Sequence, residues 1–325
     1  MSRFLSSHRD AFALTLAAAA WGIGTVISKR ALVELDPLAL LPIQLTASLV
    51  VLAILIRRTG GALLGGPKAL VRLGLLNPGL AYALGLLGLA SITASLSVLL
   101  WAVEPLLILL LAAVILRERI TAGLGFLSIA AVTGMVLLIR DPAIGGGALG
   151  VTLTLAGVAC CAMYTVLARR WLPAASSTMQ VVFGQQLHAL ALALALLVIA
   201  AAAGGRAITA PVTSVGIASA IGSGVLYYGA AYWLYLGALR RVPASVAAAS
   251  FYLIPLFGVA GGAVLLGDRL DDGQWLGAAI TMAAVLGIIR ATSLGAEVLD
   301  SRSMEPAGRA PEARVAQSVG HGPHR

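Results

Sequence analysis

Glu104 is set apart from the other twelve acidic residues of this 325-residue chain. The others fall near the charges, Gly and Pro that interrupt its apolar runs, or in the tail. Glu104 lies inside the apolar run 93–116. A carboxylate within a bilayer costs about 2.5–3.5 kcal/mol on insertion scales, so one that is kept has a use. It can face a watery cavity beside a cationic or zwitterionic solute. It can take up and give off a proton, which would suit proton coupling. The structural alternative comes from Pro105, which has no amide hydrogen and leaves the Trp101 carbonyl without its helical partner. Glu104 could serve that loosened backbone. Pro255 frees the Phe251 carbonyl in the same way.

Other polar groups share this setting. Gln185, Gln186 and His188 cluster in the apolar run 178–203, and Gln44 lies in the run 37–56. Such groups avoid lipid, so they face protein or a cavity. Solute contact and hydrogen bonding between helices both fit. Aromatic residues are only 6% of the chain, so their grouping is informative. Tyr227, Tyr228 and Tyr232 lie together, and Tyr228 and Tyr232, four apart, share a helical face. Rings of this kind hold amines by cation–π attraction or pack a core. Cys160 and Cys161 are adjacent, which suits neither a disulfide nor a metal site. Gly145-Gly146-Gly147 is followed by no Gly-Lys-Ser/Thr, so no phosphate loop is expected. No metal-ligand spacing and no nucleophile–base pair is evident. The expectation is a chain without a cofactor or metal that is not an enzyme.

The elements that position these groups follow from composition. The chain is 60% hydrophobic and 11% charged, with a mean hydropathy of +0.98. Soluble domains carry about 25% charged residues. An ordinary soluble enzyme, a nucleic-acid-binding domain and a disordered protein are excluded, despite the net charge of +9. A spanning helix needs about 20 apolar residues. Runs of that kind predict ten membrane helices, at 11–28, 37–56, 72–91, 93–116, 121–139, 147–168, 178–203, 214–239, 243–266 and 273–289. Their length and lack of period-2 alternation favour helices over barrel strands. Glycines such as Gly85, Gly88, Gly258, Gly261 and Gly262 suit close helix contact. Trp171 and Trp275, near helix ends, suit interfacial anchors.

With ten spans and a cytoplasmic N-terminus, 17 of the 22 basic residues fall on the cytoplasmic side and 5 outside. The positive-inside rule expects this asymmetry. The first run extends through Trp21 to Ser28, too long for a usual signal core, and reads as a retained helix. The polar tail 291–325 reads as a disordered cytoplasmic extension.

The chain also repeats itself. A displacement of 150 positions brings Tyr82 onto Tyr232, Ala94-Ser95 onto Ala244-Ser245, and Pro105-Leu106 onto Pro255-Leu256. It also brings Arg119 onto Arg269, Gly123 onto Gly273, Arg140 onto Arg290, and Glu118 onto Asp268. Earlier residues match at 140, with Thr25-Val26 on Thr165-Val166 and Arg30 on Arg170. Residues 11–140 and 147–290 thus form two repeats. Five helices is an odd number, so the second repeat enters the membrane inverted, a recurring transporter architecture.

Trp21-Gly22-Ile23-Gly24 with Lys29 near the end of its helix resembles the first-helix pattern of the EamA family, within the drug/metabolite transporter superfamily. The stretch from Ala94 through Glu104-Pro105 to Leu116-Arg117-Glu118-Arg119 is similar to that family's fourth helix. The second copy repeats it through Ala244, Pro255 and Gly267-Asp268-Arg269. The resemblance covers about residues 11–290. It implies a ten-helix carrier with both ends in the cytoplasm, whose relatives commonly export amino acids or other small metabolites. It places Trp21, Trp101, Tyr164, Phe251 and Tyr252 on helices near the cavity. One departure is Gln44, where many members carry an Arg early in the second helix, so anion binding does not carry over there.

The expected protein is therefore an all-α integral membrane protein with two inverted five-helix repeats, in the inner membrane of a bacterial cell. Its expected partners are a small-molecule substrate and the lipid bilayer, with no nucleic acid; monomer and homodimer both remain open. The expected activity is export of small polar metabolites such as amino acids or amines by alternating access. The expected substrate contacts are Trp21, Gln44, Tyr82, Trp101, Glu104, Tyr164, Gln185, His188, Tyr228, Tyr232, Phe251 and Tyr252. An intramembrane enzyme acting on a lipid-linked substrate and a non-transporting scaffold are the alternatives. The charge count predicts that impermeant reagents label both chain ends from the cytoplasmic side. Labelling of the two ends from opposite sides would remove the ten-span arrangement.

Overall fold

The fold is given by a computed structural model that describes residues 2–89, 100, 101, 103–118, 120–138, 147–172, 177–204, 211–258, 260 and 272–303. Several residues of the expected repeat lie outside the described residues, namely Ala94, Ser95, Arg119, Arg140, Asp268 and Arg269. The helices are α1 (Ser2–Ala31), α2 (Pro37–Arg58), α3 (Lys68–Arg72) and α4 (Ala81–Leu89). They continue as α5 (Glu104–Ile115), α6 (Ala122–Leu138), α7 (Ala148–Trp171) and α8 (Thr178–Ala202). The last four are α9 (Ser214–Gly224), α10 (Tyr232–Leu239), α11 (Ala244–Ala249) and α12 (Asp272–Ser303).

Five helices are long and apolar enough to cross a membrane: His8–Ser28, Pro37–Arg58, Ala148–Trp171, Thr178–Ala202 and Ser214–Leu239. Shorter apolar helices run Glu104–Ile115, Ala122–Gly134, Ala244–Gly258 and Trp275–Ile288. The third expected span, 72–91, is not one continuous helix. After α3 come a 3-10 turn (Leu73–Leu75) and a π turn (Leu76–Leu80), and only then α4. The cause is Pro78, which disfavours α backbone in the residue before it. Asn77 is accordingly extended, with φ −149° and ψ 124°. At the other end of the chain α12 runs on to Ser303, so residues 291–303 are helical where a disordered tail was expected. Residues 304–325 lie outside the described residues.

Local signals set the helix starts. The Asp36 side chain accepts from the Leu38 amide ahead of Pro37, and the Ser177 hydroxyl accepts from the Gln180 amide. These caps satisfy amides that have no intrahelical partner. Large apolar side chains face outward, among them Val114 at 78% and Phe126 at 72% exposure. Apolar surface of this extent belongs against lipid. The hydroxyls of Thr15, Thr25, Thr46, Thr133 and Thr152 each donate to the carbonyl four residues back. That removes the cost of an unbonded donor where no water is present.

The helices pair in a pattern that survives exchange of the two halves. In segment order, the first packs on the eighth (α1 on α9 and α10), and the third on the sixth (α4 on α7). The second packs on the seventh (α2 on α8), the fourth on the ninth (α5 on α11), and the fifth on the tenth (α6 on α12). Moving each segment by five turns first–eighth into sixth–third and leaves the other pairs unchanged. Pairs that map onto themselves lie on a two-fold axis. At one such pair the Thr281 hydroxyl lies 3.4 Å from the Ala131 carbonyl. These residues are 150 apart, the displacement of the repeat.

Polar ties hold the helix ends. Glu34 accepts from the Thr213 amide at 2.8 Å and its hydroxyl at 2.9 Å, and pairs with Arg30 at 2.8 Å. Glu118 accepts from the Ala244 amide at 2.9 Å and the Ser245 hydroxyl at 2.7 Å. Arg241 Nε donates to Asp10 at 2.8 Å, and Arg169 Nε to the Val242 carbonyl at 2.7 Å. The loop between the eighth and ninth segments is thus bound to three other parts of the chain.

Two outcomes follow. A Cβ at Gly134 would meet the Thr281 amide nitrogen at 2.7 Å and the Gly277 carbonyl oxygen at 2.8 Å. Backbone cannot rotate away as a side chain can, so Gly134→Leu should lower stability by about 1–3 kcal/mol or more. Gly222 has open space around it, and Gly222→Ala should melt like the parent in detergent. The second outcome concerns acid. The Thr213 amide, with help from its hydroxyl and Arg30, holds the Glu34 carboxyl below its ordinary range, while burial opposes this. A depressed folded-state pKa stabilises above the unfolded value and loses that stabilisation as pH falls through the folded value. The melting temperature should therefore drop as pH falls below the ordinary Glu value of about 4.3. Glu34→Gln should flatten that part of the profile; an unchanged profile would exclude the Glu34 tie as its source.

Candidate functional site

A cluster of aromatic rings occupies the centre of the bundle, built from both halves. Trp21 comes from α1, Tyr82 from α4, and Tyr164 from α7. Tyr227 and Tyr228 come from the π-helical turn Val225–Ala231, and Tyr232 and Tyr235 from α10. Phe251 follows α11 in the 3-10 turn Ser250–Leu253. The π turn brings both of its tyrosines to the cluster, their ring centroids 5.0 Å apart.

Trp21 is the hub. Its ring centroid lies 5.5 Å from Tyr232, 5.3 Å from Tyr235, 5.4 Å from Phe251 and 6.4 Å from Tyr227, each in an edge arrangement. Edge contacts of this kind follow from the ring quadrupole. Tyr82 stacks on Trp101 at 5.9 Å and meets Tyr227 and Tyr228 at 5.5 and 5.7 Å. Tyr228 stacks on Tyr232 at 6.3 Å. α1 comes this close because Gly22 and Gly24 carry no side chain. A Cβ at Gly22 would meet the Ile254 carbonyl at 2.6 Å, and one at Gly24 the Tyr227 ring at 3.2 Å.

Glu104 sits at the first turn of α5, directly before Pro105. α5 packs on α7, which carries Tyr164, and Trp101, three residues before Glu104, stacks on Tyr82, which places Glu104 beside this cluster. Among the described residues Arg30 pairs with Glu34 and Arg241 with Asp10, and neither pair includes Glu104. The Trp21 indole Nε1 and the Gln186 Oε1 are buried without a hydrogen-bond partner. One can only donate and the other only accept. The cluster thus presents a carboxyl, an indole donor and several π faces, which together suit a small solute with polar and apolar parts.

The expected contacts divide into two groups. Trp21, Tyr82, Trp101, Tyr164, Tyr228, Tyr232 and Phe251 come together with Glu104 beside them. The rest are engaged in holding helices. Gln44 Nε2 donates to the Ser28 and Ser223 hydroxyls, both at 2.9 Å. Gln185 donates to the Leu70 carbonyl at 2.8 Å and accepts from the Tyr164 hydroxyl at 2.9 Å. Gln186 Nε2 donates to the Tyr228 carbonyl in the π turn. His188 Nδ1 lies 2.8 Å from the Gly184 carbonyl of its own helix. Tyr252 packs in a separate core with Leu109, Ala131 and Val285.

Three further residues belong to the cluster. Tyr235 follows Tyr232 by three positions, a helical spacing that would have extended the tyrosine face. Cys161 reads as small apolar packing in the sequence, yet it is buried on α7 one turn before Tyr164, whose ring meets Tyr232. Asn77 accepts from the Tyr232 hydroxyl at 2.8 Å, and the Asn77-Pro78 dipeptide was the available signal for a break there. A cleft of about 330 Å³ between Leu116, Glu118, Arg169, Arg170 and Pro243 lies at the helix ends, away from these rings. Among the described residues no group of His, Cys, Asp and Glu is arranged to hold a metal ion.

Comparison with known proteins agrees with the architecture. No curated protein matches the chain. A solved structure described only as the crystal structure of a protein superposes with a TM-score of 0.74 at 19% identity, covering 90% of this chain and 98% of the other. That likeness extends to the fold. The family model of the EamA-like transporter family matches residues 9–140 and 148–290, one match for each half. With two matched repeats, an all-helical body and several helices able to cross a bilayer, this chain is a multi-pass membrane protein that belongs to the EamA-like transporter family.

Proposed function

We propose that this protein is a secondary carrier that exports small polar metabolites, amino acids or amines, by alternating access. In this reading it spans a bacterial inner membrane ten times with inverted halves and both ends in the cytoplasm. The aromatic cluster is its solute site. Glu104 meets the positive end of the solute or exchanges a proton with it. The rings hold the apolar part, and the Trp21 indole donates to an acceptor on the solute.

One observation carries the reading: among the described residues, a partly buried carboxyl on the fourth segment stands beside an aromatic cluster built from both halves. A structural bundle would be expected to fill such a place with apolar side chains, because an intramembrane acid is costly. The paired breaks add support. Both the fourth and ninth segments are interrupted before their prolines, at Val103 and over Ser250–Leu253. Matched interruptions in two repeats point to a transport site.

The test is transport by purified protein in liposomes, screened with amino acids and amines under an imposed pH gradient. At least one solute should be moved. Glu104→Gln should retain folding and lose gradient-driven uptake roughly tenfold or more, as expected for a lost charge-assisted contact of about 1.5–3 kcal/mol. Folded protein that moves none of the panel would overturn the reading, and a Glu104→Gln variant that transports like the parent would take Glu104 out of it.

A further inference from the structure

The two halves meet through a pair of hydrogen bonds that are copies of each other. The repeat displacement of 150 places Asn77 on Tyr227 and Tyr82 on Tyr232. The Tyr232 hydroxyl donates to Asn77 Oδ1 at 2.8 Å. The Tyr227 hydroxyl donates to the Tyr82 hydroxyl at 3.1 Å. Exchanging the halves turns one pair into the other. Each bond joins a tyrosine of one half to the equivalent break position in the other half. Those positions lie in the π turns Leu76–Leu80 and Val225–Ala231, which also coincide under the displacement.

The copies differ in one physical respect. In the first turn, Leu-Asn-Pro-Gly-Leu, Pro78 disfavours helical backbone at Asn77 in any state of the protein. In the second, Val-Leu-Tyr-Tyr-Gly-Ala-Ala, no proline is present. That turn runs between helical Gly224 (φ −60°, ψ −49°) and helical Tyr232 (φ −63°, ψ −40°). A π turn without proline can pass its extra residue along the helix or give it up, because every residue keeps its amide donor. The bonds differ as well: the one to Asn77 is the shorter, to an amide oxygen, and the other joins two neutral phenols.

We propose that these equivalent bonds have divided roles: Tyr232–Asn77 is the fixed pivot between the halves, and Tyr227–Tyr82 is the latch that releases when the chamber opens. Asn77, Tyr82, Tyr227 and Tyr232 are then positioning residues. Both latch rings belong to the aromatic cluster, with Tyr82 5.7 Å from Tyr228 and Tyr227 5.0 Å from it, so release of the latch parts the two halves at the proposed solute site. The proposal rests on the carrier reading above, but its test reads opening without any solute.

Cys161 supplies the readout. It is buried on α7, three residues before Tyr164, which joins the cluster at Tyr232. In a Cys160→Ala background, the rate at which a small membrane-permeant thiol reagent labels Cys161 measures chamber opening in full-length protein. Tyr227→Phe and Tyr82→Phe should each raise that rate roughly two- to tenfold, the shift in an opening equilibrium from one lost hydrogen bond. The double variant should be no faster than either single one, and melting temperatures should stay near that of the parent. Tyr232→Phe and Asn77→Leu should instead lower the melting temperature. Tyr232→Phe, which keeps the ring, should not raise labelling as Tyr227→Phe does. Labelling unchanged in Tyr227→Phe, additive effects of the two latch variants, or an equal rise in Tyr232→Phe would each overturn the division. A parent that labels as expected yet moves no solute would sink the carrier reading and leave the latch standing.

Discussion

No water reaches the hydrocarbon core of a bilayer, so each polar atom placed there must find its partner in the protein. That constraint organises the structure. Threonines turn back on their own helices, and the amides of Gln44, Gln185 and Gln186 reach across to neighbouring ones. These ties hold the second, third, seventh and eighth segments in register. Once they are accounted for, few polar atoms in the interior remain unused. Those at the aromatic rings are the Trp21 indole, the Gln186 Oε1 and the Tyr235 hydroxyl, with the Glu104 carboxyl beside them.

The second constraint is duplication. Two copies of one five-segment unit have the same apolar faces, so they bury them against each other in a pattern that returns to itself on exchange. Segments pair second with seventh, fourth with ninth and fifth with tenth along the axis. Close approach there needs backbone against backbone, as at Gly134 and Thr281. The ends are secured separately. Glu34 and Glu118 each reach from a connection within the first half to the start of a helix in the second, where free amides favour a carboxylate.

Much of this was legible in the sequence because it depends on apolar run length and on self-similarity. The displacement of 150 came from residues such as Tyr82 and Tyr232, and the same displacement in sequence relates Ala131 and Thr281, which meet in space. The aromatic cluster was legible from tyrosine spacing together with the family pattern. The roles of Gln44, Gln185 and His188 were not. An amide in a span looks the same in sequence whether it faces a solute or a neighbouring hydroxyl, and Gln44 finds its partners in two other segments, Ser28 and Ser223. The continuous third span was also misleading. Its apolar run is long enough, but one Asn-Pro step breaks the backbone and lets a side chain from the other half bond to the break.

Symmetry of the frame does not extend to the chemistry inside it. At the displacement of 150, Pro105 repeats as Pro255 and Trp101 as Phe251, yet Glu104 falls on Ile254. The carboxyl therefore belongs to one half alone. In the other half the corresponding backbone is in close packing, with the Ile254 carbonyl set against Gly22. The same division appears at Asn77 and Tyr227, where one copy has an amide beside proline and the other a phenol in an unconstrained turn. A bundle with two identical halves would present two identical faces to a solute and could not fix its orientation. Here the carboxyl comes from the fourth segment, while the eighth and ninth contribute rings, so under the carrier reading proposed above a solute with distinct polar and apolar ends would have one favoured way to lie. Duplication supplies two similar halves, and divergence at a few interior positions makes the chemistry between them one-sided.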